Sequence, residues 1–134
     1  MADELEWPIE FIPDADSVFM RAHRQHFETG SLAPGVFKPQ GGGLSVNWEK
    51  YASAEQTRQQ GTRPDENAVL RLSVRGIRTL RDTDPLTVEH TPLPENRAHT
   101  DVNGIPGKGE ERTEIRVLLL RLAGPPVIPL PHKS

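Results

Sequence analysis

Cysteine is absent from this chain, and that absence excludes disulfides, thiolate nucleophiles and cysteine zinc sites. Any metal would have to rest on His, Asp and Glu, and no His-x-x-x-His or Glu-rich ligand spacing is present. Aromatic residues make up only 5% and apolar residues 34% of 134 residues, which implies a small core with long loops. The longest apolar run, Val117 to Leu120, is far too short to span a bilayer, so no membrane role is expected. The N-terminus carries neither a basic stretch nor an apolar one, which argues against a signal peptide and makes a cytoplasmic location the expectation. A net charge of -3 disfavours broad nonspecific binding to phosphate backbones but permits a local basic patch. No motif calls for a cofactor.

What is present organises as one domain. Residues 1–16 form a lead-in segment with Trp7, Ile9, Phe11 and Ile12 as docking points, 17–124 a single domain, and 125–134 a proline-rich tail. Strands are expected over Ser17–Ala22, Leu44–Trp48, Ala68–Arg75, Leu86–His90 and Ala98–Val102, from period-two alternation or short apolar runs. Ala68–Arg75 is the clearest of these and is expected at the centre of the sheet. Ser53 and Gln56 form a capping-box pattern for a short exposed helix. Glu110–Leu122 is the one strong helix, with Ile115, Leu118, Leu119 and Leu122 at helical spacing and Gly124-Pro125 as its stop. The stretches Thr29–Gly43 and Asn103–Gly109 are glycine-rich loops, and Gly41-Gly42-Gly43 reads as a hinge, since it lacks the lysine and helix of a phosphate loop. The tail reads as extended polyproline-like chain without fixed contacts. The fold class is α+β: a small, mostly antiparallel sheet covered by the C-terminal helix.

The densest polar stretch runs from Val88 to His99 and holds two histidines, two glutamates, Asn96 and Arg97 around a proline-stiffened turn. His90 and His99 are candidate general base and general acid, because each imidazole titrates near neutrality, and the turn would bring both to one cleft. Arg97, or Arg21 from elsewhere in the chain, is the candidate to stabilise developing negative charge. Arg21 and His23 follow the first apolar segment and share a face if that strand continues; if a helical turn follows, His23 and His26 do, and either arrangement could bind an anion. His23, Ser45 and Asn96 complete a candidate binding pocket. The plainer alternatives are a solvated strand end for Arg21 and His23, and local hydrogen bonding for the histidine turn. Trp48 and Tyr51 read as packing residues rather than a base-stacking platform. Pro126-Val127-Ile128-Pro129 fits a minimal proline-rich recognition pattern that occurs often by chance.

Val18-Phe19-Met20-Arg21-Ala22-His23, Leu44-Ser45-Val46, and His90-Thr91-Pro92 followed by Glu95-Asn96-Arg97-Ala98-His99 resemble a loose group of short bacterial proteins of unassigned function, over roughly 16–123. That resemblance implies a bacterial, intracellular origin and brings no activity with it. The first segment also resembles the start of ADP-ribosyltransferase-like domains, where an early Arg or His and a later serine-bearing strand line a nicotinamide site. By that resemblance Glu89 is the candidate for their late glutamate. Two functional expectations follow. One is an enzyme acting on a nucleotide or RNA phosphodiester, or on a nicotinamide nucleotide, through a His/Arg pocket. The other is a non-catalytic module for a protein partner, such as a subunit in a bacterial defence or toxin system.

Overall fold

A computed structural model describes residues 6–39 and 43–131. The hinge expected at Gly41 and Gly42, and the chain ends 1–5 and 132–134, lie outside the described residues. The architecture is α+β, with strands β1 (Ser17–His23), β2 (Phe27–Glu28), β3 (Ser31–Leu32), β4 (Leu44–Trp48), β5 (Asn67–Ser73), β6 (Thr87–His90) and β7 (His99–Asn103). The helices are α1 (Ala54–Gln59), α2 (Val74–Arg78) and α3 (Glu110–Ala123). Five strands form one antiparallel sheet in the order β5-β1-β4-β7-β6. β2 and β3 make a separate small hairpin, whose turn places Thr29 and Gly30 at φ 48° and 85°. Two successive positive φ values are those of a type I′ turn, which matches the twist of flanking strands.

Period-two alternation divides the sheet into two faces. Val18, Met20 and Ala22 of β1, Leu44, Val46 and Trp48 of β4, and Leu70 and Leu72 of β5 all point into one core. α3 covers this face. Its Ile115 and Leu119 are fully buried, and its Arg116 Nε donates to the Phe37 carbonyl at 3.0 Å. α1 lies on the opposite face, against β1 and β5, and holds the capping box expected from Ser53 and Gln56.

Two expectations for the Ala68–Arg75 strand need correction. β5 is an edge strand, and it stops at Ser73. Ser73 Oγ accepts from Gly76 N at 3.0 Å and so caps α2, which takes Val74 and Arg75 out of the sheet. A Cβ at Gly76 would lie 2.4 Å from Leu122, so α2 and α3 meet as closely as they do because that residue is glycine. β5 reads as central because it is covered like a central strand: α3 lies on one face, α1 on the other, and the tail along its edge. Val69 N donates to Ile128 O at 2.9 Å, and Val127 N donates back to Val69 O at 2.9 Å. The tail, expected without fixed contacts, therefore shields an edge that would otherwise invite pairing with another chain.

The lead-in segment divides in two. Ile12 is buried, while Ile9 and Phe11 are exposed. Trp7 lies under the Arg97 guanidinium, 4.7 Å from it. Between them Glu10 accepts from Lys50 Nζ at 2.6 Å and from the Tyr51 hydroxyl. Hydrogen bonds from Lys50 and then Tyr51, with the Arg97 charge nearby, hold the Glu10 carboxyl below its ordinary 4.5. The Arg58 and His23 contacts do the same for Glu55 and Glu66. A depressed carboxyl pKa contributes stability above the unfolded value and loses it as pH falls through the folded value. The Glu10–Lys50 pair also raises the Lys50 pKa above 10.5, so its contribution persists until strongly alkaline pH. Melting temperature is therefore expected to drop on acidification below 4.5, and Glu10→Gln should shrink that drop. Parallel melting-temperature profiles for both proteins would contradict the assignment.

Candidate functional site

The second face of the sheet is polar because the alternation that buries Met20, Val46 and Val102 turns their neighbours outward. Phe19, Arg21 and His23 of β1, Ser45 and Asn47 of β4, and His99 of β7 line a cavity of about 270 Å³. Thr57 of α1, Gln60 just beyond it, Asn96 from the β6–β7 turn and His26 also line it. The cavity forms where two strands part. β1 and β4 pair at Val18–Trp48 and Phe19–Asn47 and no further. β1 runs on beside β5 and β4 beside β7, so the ladder stops before Met20 and Val46, and a wedge opens between Arg21 and Ser45, the next pair that would have faced this side.

An amide cluster fixes one wall. Asn47 is buried, and its Nδ2 donates to Thr57 Oγ1 at 3.0 Å and to Gln60 Oε1 at 2.9 Å. Asn96 Nδ2 donates to Asn47 Oδ1 at 2.8 Å, while Asn96 Oδ1 accepts from Ala98 N at 3.2 Å. The β6–β7 turn is thus tied to β4 and α1 through side-chain amides, whose paired donors and acceptors make the positions rigid.

The basic wall holds two kinds of side chain. His23 is engaged: its Nδ1 accepts from Gln25 N at 3.0 Å, which leaves Nε2 to donate to Glu66 Oε1 at 3.0 Å. Arg21 donates to the Thr57 carbonyl at 3.1 Å and, among the described residues, forms no ion pair. Arg21 is an exposed residue of β1, and the covering of part of its side chain lowers its pKa through lost solvation. Burial also lowers the pKa of His26, helped by the neighbouring His23 and Lys38 charges. The arrangement favours a bound anion beside Arg21.

Of the residues singled out in the sequence, Arg21, His23, Ser45, Asn96 and His99 come together here. His90 does not, and the common cleft expected for His90 and His99 is not formed. In the β6–β7 register His90 stands opposite Thr100, so His90 and Thr100 face the core while His99 and Asp101 face out. The turn does bring the strands together, but a one-residue offset puts the two rings on opposite faces. The signal was in the sequence: His90 is in phase with Val88, and His99 with Asp101. The same parity places Asn47 with Ser45, a lining residue that charge and motif reading passes over. Thr57 and Gln60 also line the cavity, which only the docking of α1 reveals, as do Asn67 at the start of β5 and His26, the partner expected for His23 if a helical turn followed the first strand. Glu89 shares the outer face and accepts from Asn103 Nδ2 at 3.3 Å, away from the residues lining the cavity. Among the described residues no three His, Asp or Glu side chains are grouped to hold a metal ion, and no helix is long and apolar enough to cross a membrane. No family model, curated protein or solved structure matches this chain.

Proposed function

We propose that the cleft between β1 and β4 binds a nucleotide by its phosphate, as the site of an enzyme acting on a nucleotide or RNA phosphodiester. The observation that carries this reading is Arg21: an exposed residue lining a polar wedge, whose guanidinium has one backbone partner and, among the described residues, no ion pair. A phosphate there completes its hydrogen bonding with two parallel charge-assisted bonds. The mutually bonded Asn47, Gln60 and Asn96 amides hold a rigid polar wall beside that position. His99 stands across the wedge, placed for proton transfer.

The test is titration with a nucleoside diphosphate, a dinucleotide and a nicotinamide dinucleotide, followed by amide and imidazole NMR shifts. Shifts should centre on Arg21, Ser45 and His99. Arg21→Ala should weaken binding roughly 10–100-fold, since a hydrogen bond to a charged group contributes about 1.5–3 kcal/mol. Unchanged affinity in that variant would end the reading. A second reading, a non-catalytic module for a protein partner, rests on Ile9 and Phe11, which are 77% and 79% exposed. It gains if no nucleotide binds and Phe11→Asp releases a partner.

A further inference from the structure

We propose that Ser45 is an activated nucleophile, that His99 is its general base, and that Ser45 takes a nucleotidyl group from a nucleotide phosphodiester. The substrate class rests on the nucleotide reading above; the nucleophile rests on its own geometry. His99 Nδ1 lies 2.9 Å from the Thr91 carbonyl, which can only accept, so Nδ1 carries the ring proton. In the neutral ring Nε2 is then a lone pair, and it faces Ser45 Oγ at 3.4 Å. That distance is long for an O–H···N bond, as is common for catalytic pairs before substrate tightens them. Ser45 Oγ makes no other side-chain bond among the described residues and is open to the cavity.

Behind the ring stands a second pair of acceptors. Thr91 Oγ1 donates to Asp101 Oδ2 at 2.9 Å and lies 3.0 Å from His99 Nδ1. A carboxylate is therefore linked to the imidazole through one hydroxyl, which fixes the tautomer and favours the imidazolium that forms when serine loses its proton. The fold sets this spacing. β4 and β7 pair Ser45 with Asp101 and Asn47 with His99, so serine and histidine are diagonal neighbours on the outward face. A phosphate held by Arg21 across the parted strands would lie next to Ser45 Oγ.

The step balances without a further reactant. The Ser45 hydroxyl proton passes to His99 Nε2 as Oγ attacks phosphorus and the bond from phosphorus to the leaving nucleoside oxygen breaks. That oxygen takes the proton from His99. Water then attacks the seryl phosphodiester with His99 again as base, and Ser45 leaves with its proton restored, releasing a nucleotide monophosphate.

A fluorophosphonate probe tests the nucleophile directly, since activated serine displaces its fluoride and keeps the phosphonyl group as a mass increment. Intact-mass and peptide analysis should find one adduct, on Ser45, absent in Ser45→Ala. His99→Ala should slow labelling roughly 100-fold or more, the usual scale of general-base catalysis. Asp101→Asn should slow it less. The pH dependence of labelling should follow the titration of His99 observed by NMR. Melting curves confirm that each variant is folded. No adduct on Ser45, or labelling undiminished in folded His99→Ala, overturns the nucleophile even where wild-type protein binds nucleotide at Arg21. Labelling of Ser45 without nucleotide binding or dinucleotide cleavage overturns the nucleotide ester as its substrate.

Discussion

Leu119→Asp is expected to leave the protein unfolded at room temperature. Leu119 is fully buried in the stripe of α3 that, with Ile115, faces the core. The substitution forfeits about 1.5–3 kcal/mol of apolar burial. It also places a carboxylate among apolar side chains, with an effective penalty of several kcal/mol even after relaxation. Together these approach the roughly 5–15 kcal/mol by which domains of this size are stable. The buried residues nearest in role, Leu70 and Leu72 on β5, have no spare polar group to offer the new charge. Glu114→Gln on the exposed side of the same helix is the control and should stay within about 0.5 kcal/mol. Circular dichroism and thermal melts check both. A cooperative melt near that of wild type for Leu119→Asp would mean that α3 does not pack on this face.

What the sequence made legible follows from how each element is stabilised. α3 and β4 could be read because their apolar residues repeat at the helical and strand periods, and burial enforces those periods. The end of β5 could not, because Val74 continues the apolar alternation while Ser73 caps a new helix. The covering of β5 by the tail was equally hidden. It uses backbone groups of Val69, Val127 and Ile128, and backbone pairing leaves little trace in side-chain type.

The cleft was legible wherever its residues sit on strands. Arg21, His23, Ser45 and His99 are polar residues out of phase with apolar ones, which sends them to one face. Which strands part, and where, is a property of the whole sheet. The wedge beside Arg21 arises because β1 stays with β5 and β4 with β7, and no local pattern encodes that choice. The amide cluster is hidden for a related reason. Asn47, Thr57 and Gln60 satisfy one another only once α1 is docked, and hydrophobic periodicity carries no information about polar pairs.

The sharpest consequence of strand parity concerns His90, which is expected to matter for stability and not for the cleft. Its ring is 2% exposed and packs edge-on against Trp48, with centroids 5.1 Å apart, and parallel to Tyr51 at 6.1 Å. Nδ1 accepts from Glu10 N at 3.0 Å, so Nε2 carries the proton and donates to the Arg97 carbonyl at 2.7 Å. One side chain therefore ties the lead-in segment, the end of β6 and the turn before β7. His90→Ala removes a packed ring and leaves an N–H and a C=O unpaired. Each orphaned group costs about 1–3 kcal/mol when buried, and part exposure places the total near 3 kcal/mol. His90→Phe keeps the packing and loses the hydrogen bonds, so it should fall between wild type and alanine. Denaturant melts should show this order, while nucleotide affinity and Ser45 labelling stay at wild-type levels in any variant that remains folded. The opposite pattern, intact stability with lost binding, would return His90 to the site and overturn the register that places it in the core.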